Sequence, residues 1–434
     1  MRVLMFGWEF PPHIAGGLGT ACYGLTRGLA KNSIDVLFVV PKAYGDEDQS
    51  AVRLVNASDI TVDVTDKAVQ QFWDRITYLE IGSNLIPYVG PEEFERIAKQ
   101  SNGSQNETGN TQLKAKFKFS GKYGINLMEE VSRYALVASV VAANNQFDVI
   151  HAHDWLTYHA GVAARNISGK PLVVHMHATE YDRSGENVNT EVFAIEQYGM
   201  QQADCVITVS NLTRNIVIER YGIDPAKVIT VYNAVEPVQN RSTGNVHASV
   251  KDKIVTFLGR ITFQKGPEYF VEAAHKVMQR DPNIRFVMAG SGDMLDKMIR
   301  RVARLRMGRK FHFTGFLRGE SVDIMFAMSD VYVMPSVSEP FGIAPLEAIR
   351  SSVPVVISKQ SGVSEILVHA LKVDFWDIDA LADNIWGLTH YKGLQQMFAN
   401  HGQAEVDNLK WENAAIKVVE VYKQAITNYT TLNQ

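Results

Sequence analysis

Two carboxylates stand eight positions apart in the stretch MPSVSEPFGIAPLEAIRSSVPVV, Glu339 in a Pro/Gly-rich turn and Glu347 on the helix expected to follow. Between them Gly342, Ile343 and Ala344 open that helix, where unpaired backbone N–H groups form a seat for a phosphate. Two acids at such a seat would repel the phosphate itself, so each is expected to accept hydrogen bonds from sugar or ribose hydroxyls. A capping role for Glu339 alone would leave Glu347 unexplained. Arg260 and Lys265 lie five positions apart in FLGRITFQKGPEYF, directly after a strand candidate. Two cations so placed could clamp a diphosphate leaving group; the plainer alternative is a surface pair flanking a loop. A third feature, PPHIAGGLGT, puts Gly16, Gly17 and Gly19 between the first strand and a helix, where backbone can approach a phosphate closely. The G-x-G-x-x-G spacing of a dinucleotide site is absent.

Four histidines form another group: His151 and His153 in HAHDW, and His175 and His177 in VVHMHATEYDR. So many imidazoles in short spans point toward metal ligation, but neither cysteine spacing nor a Glu-x-x-His pattern supports it, and no metal centre is expected. Each pair is expected to divide between the two faces of its strand, one ring structural and the other facing a cleft. A cleft histidine beside Asp154, Glu180, Tyr181 and Arg183 suits hydrogen bonding to sugar hydroxyls or to a charged transition state.

The elements that must carry these residues alternate along the chain. Strand candidates are 3–6, 36–40, 149–151, 172–174, 206–209 and 228–231, then 254–258, 286–289, 311–313, 331–334 and 355–357. Short continuous apolar runs between helical patterns (20–31, 126–144, 211–221, 267–280, 294–306 and 413–427) describe parallel strands buried on both faces. The expected class is α/β, doubly wound. The polar stretch 233–253 breaks the series and is read as a linker. Residues 45–122 form a second irregular region, whose centre from Ser101, SNGSQNETGNTQ, reads as a surface loop. Two domains facing each other would place all the motifs around one cleft.

A length of 434 residues suggests about three domains at roughly 150 residues each, but strands on either side of a single linker reduce this to two. With 43 basic and 47 acidic residues the net charge is −4, so no basic field invites nucleic acid. Cys22 and Cys205 are the only cysteines, too few for a disulfide framework. The opening MRVLMFGWEFPPH reads as a strand rather than a signal peptide. The longest weakly polar run, 135–143, falls short of the roughly 20 residues of a membrane span. A cytoplasmic protein is expected, in which the Asn-x-Ser/Thr triplets at Asn102 and Asn106 carry no glycosylation meaning.

In their order and types these motifs resemble the retaining glycosyltransferases of family 4, whose fold is GT-B: two Rossmann-like domains facing a central cleft. Glu339 and Glu347 are similar to the E-x7-E motif, GGLG at 16–19 to the glycine loop, and Arg260/Lys265 to the diphosphate-binding pair. HAHDW and the HATEYDR histidine are similar to those of glycogen and starch synthases. The resemblance implies an acceptor-side domain (1–235), a linker (236–250), a nucleotide-sugar domain (251–410) and a final helix (411–434) crossing back to the first domain. It implies a metal-independent hexosyltransferase that uses UDP-glucose or ADP-glucose as co-substrate, with no resident cofactor, and an α-glucan acceptor. Gly16, Gly17, Leu18, Gly290, Leu317, Gly342, Ile343 and Glu347 would surround the donor. Glu339 would meet the transferred sugar, His177 its anomeric carbon, and Arg260 and Lys265 the diphosphate. His153, Asp154, Tyr181 and Arg183 would lie on the acceptor side. Ile14 stands where bacterial-type glycogen synthases of the neighbouring family carry lysine, and NAVE at 233–236 where N-G-V-D is usual; QSGVSE at 360–365 keeps the glycine that packs near the donor. Two rival readings are a membrane-docked transferase with a lipid acceptor, suggested by the basic stretch 297–310, and a sugar-nucleotide epimerase or silent binding protein of the same fold.

Overall fold

The computed structural model describes residues 1–13, 16–63, 114–124, 126–236 and 252–432. Ile14, nearly all of the expected linker and the segment around Asn102 and Asn106 lie outside the described residues.

The first sheet is built from β1 (Arg2–Phe6), β2 (Asp35–Val40) and β3 (Arg53–Asn56). After a small antiparallel ribbon of β4 (Thr61–Asp63) and β5 (Lys114–Lys116), it continues with β6 (Val149–His153), β7 (Leu172–Met176), β8 (Cys205–Thr208) and β9 (Val228–Thr230). Its order is β3-β2-β1-β6-β7-β8-β9, parallel throughout. The second sheet contains β10 (Lys253–Leu258), β11 (Ile284–Ala289), β12 (Phe311–Gly315), β13 (Val331–Met334), β14 (Val355–Ser358) and β15 (Leu371–Val373). It too is parallel, in the order β12-β11-β10-β13-β14-β15. Both central strands are apolar on each face because helices cover both sides: Val3 and Met5 enter one core of the first domain, Leu4 and Phe6 the other.

The strand direction of winding reverses between β1 and β6 in one sheet and between β10 and β13 in the other. Such switch points leave a crevice beyond the carboxyl ends of the strands. The four loops that leave these strands carry the glycine cluster, Asp154, Arg260 and Glu339. Topology therefore gathers what the chain keeps hundreds of residues apart.

The observed strands overlap all eleven expected ones, with 206–209 and 228–231 each ending one residue earlier, and add β3, β15 and the ribbon. Both extra sheet strands lie at edges and are short, RLVN and LKV, so each offers too few apolar residues to show a pattern. The C-terminal helix Trp411–Leu432 runs back across the first domain, packing on helix Gly17–Lys31 and on β6 to β8. Its entry point is tight. A Cβ on Gly24 would lie 2.2 Å from the Trp411 indole, so only glycine lets the two helices approach there.

The domains also touch directly. Ser338 Oγ donates to Asp182 Oδ1 at 2.5 Å, and Glu365 accepts from the backbone N–H groups of Asn211 and Leu212 at 2.9 and 2.7 Å.

Candidate active site

Between the two sets of strand ends lies a cleft of about 1480 Å³. Gly16, Gly17, Leu18, Asp154, His177 and Arg183 line it from the first domain. Arg260, Lys265, Gly290, Leu317, Glu339, Gly342, Ile343 and Glu347 line it from the second.

On the second-domain wall, β13 ends at Met334 and the chain turns through Pro335 and Ser336 to Glu339. Backbone bonds pin the turn: Glu339 N–H donates to Gln360 carbonyl and Gly362 N–H to Glu339 carbonyl, both at 2.9 Å. The Glu339 carboxylate, 6% exposed, accepts from Lys265 Nζ in an ion pair and from Ser336 Oγ at 3.2 Å. Lys265 can reach it because the next residue, Gly266, takes φ +63° with its Cα against the Pro335 carbonyl; a Cβ would lie 2.0 Å from that oxygen. Lys265 is thus tied to Glu339, where the sequence suggested a cation acting with Arg260 alone. Arg260 is exposed to the cleft and donates to Gln264 Oε1 at 3.1 Å. Glu347 sits on helix Ala344–Arg350, and burial raises its carboxyl above the usual range despite Arg350 nearby.

The first-domain wall differs from expectation in three respects. The histidine pairs do not divide between faces. Residues two apart on a strand share a face, and all four rings pack together: His151–His153 at 4.2 Å, His175–His177 at 4.2 Å and His153–His177 at 5.2 Å between centroids. His177, just past β7, reaches the cleft, while His153 lies fully buried behind it with Nδ1 2.9 Å from His177 Nε2. Burial drives the His177 pKa down to about 3, so its ring is neutral near pH 7. Asp154, in a left-handed backbone conformation at φ +60°, accepts from the N–H groups of His177 and Ala178 at 2.9 and 3.3 Å. It therefore sets the backbone carrying His177. Tyr181 leaves the cleft altogether, packing edge-on against Phe193 and Tyr221. Arg183 lines the cleft but spends its guanidinium on Glu180, Glu196 and the Ala178 carbonyl.

Two groups escaped the sequence reading. Glu9, buried, accepts from Gly19 N–H at 3.1 Å and so anchors the glycine turn; its acid beside a helix start was the available signal. Asp182 accepts from Thr179 N–H and Thr179 Oγ1 as well as from Ser338 of the other domain, a long-range contact with no local signature.

Two doubly wound domains thus face a cleft lined by glycine turns, cations and carboxylates. Comparison with known proteins gives the family. Residues 240–405 match Glycosyl transferases group 1 and residues 119–239 match Glycosyltransferase Family 4. The chain is 28% identical to an uncharacterised glycosyltransferase of Methanocaldococcus jannaschii, over 98% of this chain and 99% of that one. It is 23% identical to a glycogen synthase of Mycobacterium tuberculosis, over 98% and 95%. Among solved structures, Anabaena HepE in complex with UDP and glucose superposes with a TM-score of 0.67 at 16% identity, covering 98% of this chain and 99% of that chain. The chain belongs to the GT-B-fold glycosyltransferases of family 4.

Proposed function

We propose that the protein transfers glucose from UDP-glucose or ADP-glucose to an α-glucan with retention of configuration, without a divalent metal acting on the diphosphate. One observation carries this reading: Lys265, Glu339 and Arg260 line one wall of the cleft, with His177 on the other. The similarity to a glycogen synthase supports a glucan acceptor, and the solved relative holding UDP and glucose supports a nucleotide-sugar donor.

In this reading Glu347 accepts from the ribose hydroxyls, and the backbone of Gly342–Ile343 with Arg260 and Lys265 holds the diphosphate. Gly17 approaches the phosphates from the first domain. Glu339 binds hydroxyls of the glucosyl ring, and His177 sits beside its anomeric carbon. The bond from that carbon to the diphosphate oxygen breaks as a bond to the acceptor oxygen forms on the same face, and the acceptor proton ends on the departing phosphate. Arg260 and Lys265 stabilise the charge that grows there, a role given to a cation in many transferases. Asp154 and Glu9 act at one remove, by fixing the backbone of His177 and Gly19.

The membrane-docked alternative keeps four exposed cations of its basic stretch, Arg300, Arg304, Arg306 and Arg309, while the other three are held in ion pairs. In the basic stretch, Lys297 pairs with Glu268, Arg301 with Glu272 and Lys310 with Asp252, while Met298 and Val302 are buried. No helix among the described residues is long and apolar enough to cross a membrane. Assaying Glu339→Gln, Arg260→Ala and Lys265→Ala with UDP- and ADP-glucose tests the proposal. Each should lose activity with folding intact; turnover near wild type in all three would refute it.

A further inference from the structure

His151, His153 and His175 form a set behind the cleft that glucosyl transfer leaves without a task. Their residues are 0%, 0% and 2% exposed. The first two project from β6 and the third from β7, with His153 and His175 in register across the strand pair. All three face the layer made by helices Gly17–Lys31 and Trp411–Leu432. One ring nitrogen from each lies within 4.8 Å of the others.

Their hydrogen bonding is one-sided. His151 Nδ1 meets Tyr422 Oη at 2.6 Å, and His153 Nδ1 meets His177 Nε2 at 2.9 Å. Among the described residues the opposite nitrogen of each ring, Nε2, has no partner, and neither nitrogen of His175 has one. A buried polar atom left unpaired forfeits its hydration without recompense, and native interiors hold few. Four at one spot, where valine or leucine would pack without loss, ask for an explanation. Ligating imidazoles divide in this way, one nitrogen held by an outer partner and the other left for a metal; His151 and His153 show that division, and His175 has both nitrogens open.

We propose that His151, His153 and His175 bind a divalent transition-metal ion, zinc foremost, in a closed structural site. An ion centred among nitrogens at most 4.8 Å apart lies no more than about 2.8 Å from each, so zinc bonds of ~2.0–2.1 Å ask each ring to move inward by under ~1 Å. Cys22, buried and in no disulfide, belongs to a second set with His153 and His177. Imidazole and thiolate favour zinc, cobalt, nickel or copper over magnesium and calcium. The ion would join β6 to β7 and, through Tyr422, to the C-terminal helix, holding from behind the segment that ends at His177. It would take no part in the departure of the diphosphate, and the proposal stands whether or not the donor assignment does.

The test is metal content and metal binding of the full-length protein. Mass-spectrometric analysis of protein from zinc-supplemented culture should find about one equivalent. Chelator-stripped protein should take up Zn²⁺ in competition with a chromophoric chelator, with a rise in Tm, and Co²⁺ should give tetrahedral visible bands. His151→Gln with His175→Gln should lose the equivalent, whereas exposed His312→Gln should keep it. Because the double variant could misfold, the wild type decides: a chain isolated without zinc, cobalt, nickel or copper, and taking up none on titration, overturns the proposal. Equal metal content in the double variant and the wild type overturns it as well.

Discussion

Charge at the scale of single residues decides where the diphosphate can leave. Arg260 and Lys265 are the cations at the end of β10, and Lys265 also balances the buried Glu339. Replacing either with alanine should lower kcat about 10²–10³-fold, the cost of losing one donor aimed at developing charge. The Tm should barely change for Arg260→Ala, whose side chain is exposed. Glu347 adds a pH signature. Its carboxyl titrates above the ordinary glutamate value because burial opposes the charge. Only the ionised form accepts from both ribose hydroxyls, so donor affinity is full well above that raised value and is lost as pH falls through it. Calorimetric titration from pH 7.5 downward should show donor Kd rising earlier than a free carboxyl would require, and Glu347→Gln should be weaker and flat over the same range. Arg260, Lys265 and Glu339 were legible because each follows directly on an apolar strand, and Glu347 because it stands on the helix that opens after the Glu339 turn. Glu9 was missed although its partner Gly19 lies in the same connection, whereas the Ser338 partner of Asp182 comes from the other domain and the Glu196 partner of Arg183 from another helix.

Among elements, the C-terminal helix carries a disproportionate share of the first domain's packing. Trp411 is 4% exposed and fills the space that Gly24 and Gly28 vacate. Trp411→Ala should therefore cost about 3–5 kcal/mol, read as a lower denaturation midpoint. Gly24→Leu should also destabilise, since its side chain would overlap the indole. The central strands could be read from sequence because parallel strands buried on both faces leave continuous apolar runs; edge strands β3 and β15 lack that signal. The histidines show a different failure. Their strands were placed correctly, but residues two apart share a face, and that common face puts His151, His153 and His175 in a buried stack with only His177 at the cleft. That four imidazoles share one face follows from the pairing of β6 with β7, which composition alone does not show.

For the molecule as a whole, function depends on two domains meeting. Neither wall of the cleft contains a complete site: His177 and Gly17 belong to one, the cations and carboxylates to the other. The Ser338–Asp182 bond links the Glu339 turn to the His177 segment across the gap. Removing it with Ser338→Ala should raise the donor KM about tenfold with a smaller change in kcat, since a hydrogen bond to a charged group contributes about 1.5–3 kcal/mol. Closure of this kind keeps water from the reacting carbon, so the same variant should also hydrolyse donor more readily when acceptor is withheld. The two-domain plan was visible in the sequence as two strand series around one polar break; the contacts that close the cleft were not, because each joins residues far apart in the chain.

The most direct measurement is an NMR-monitored transfer reaction with UDP-glucose and ADP-glucose, glycogen as acceptor and no added divalent metal, run beside Lys265→Ala and Glu339→Gln. The account predicts new α-linked glucosyl units from at least one donor, and strong loss in both variants. Product of inverted β configuration, an absolute need for added Mg²⁺ or Mn²⁺, or no glucosyl transfer from either donor would contradict it.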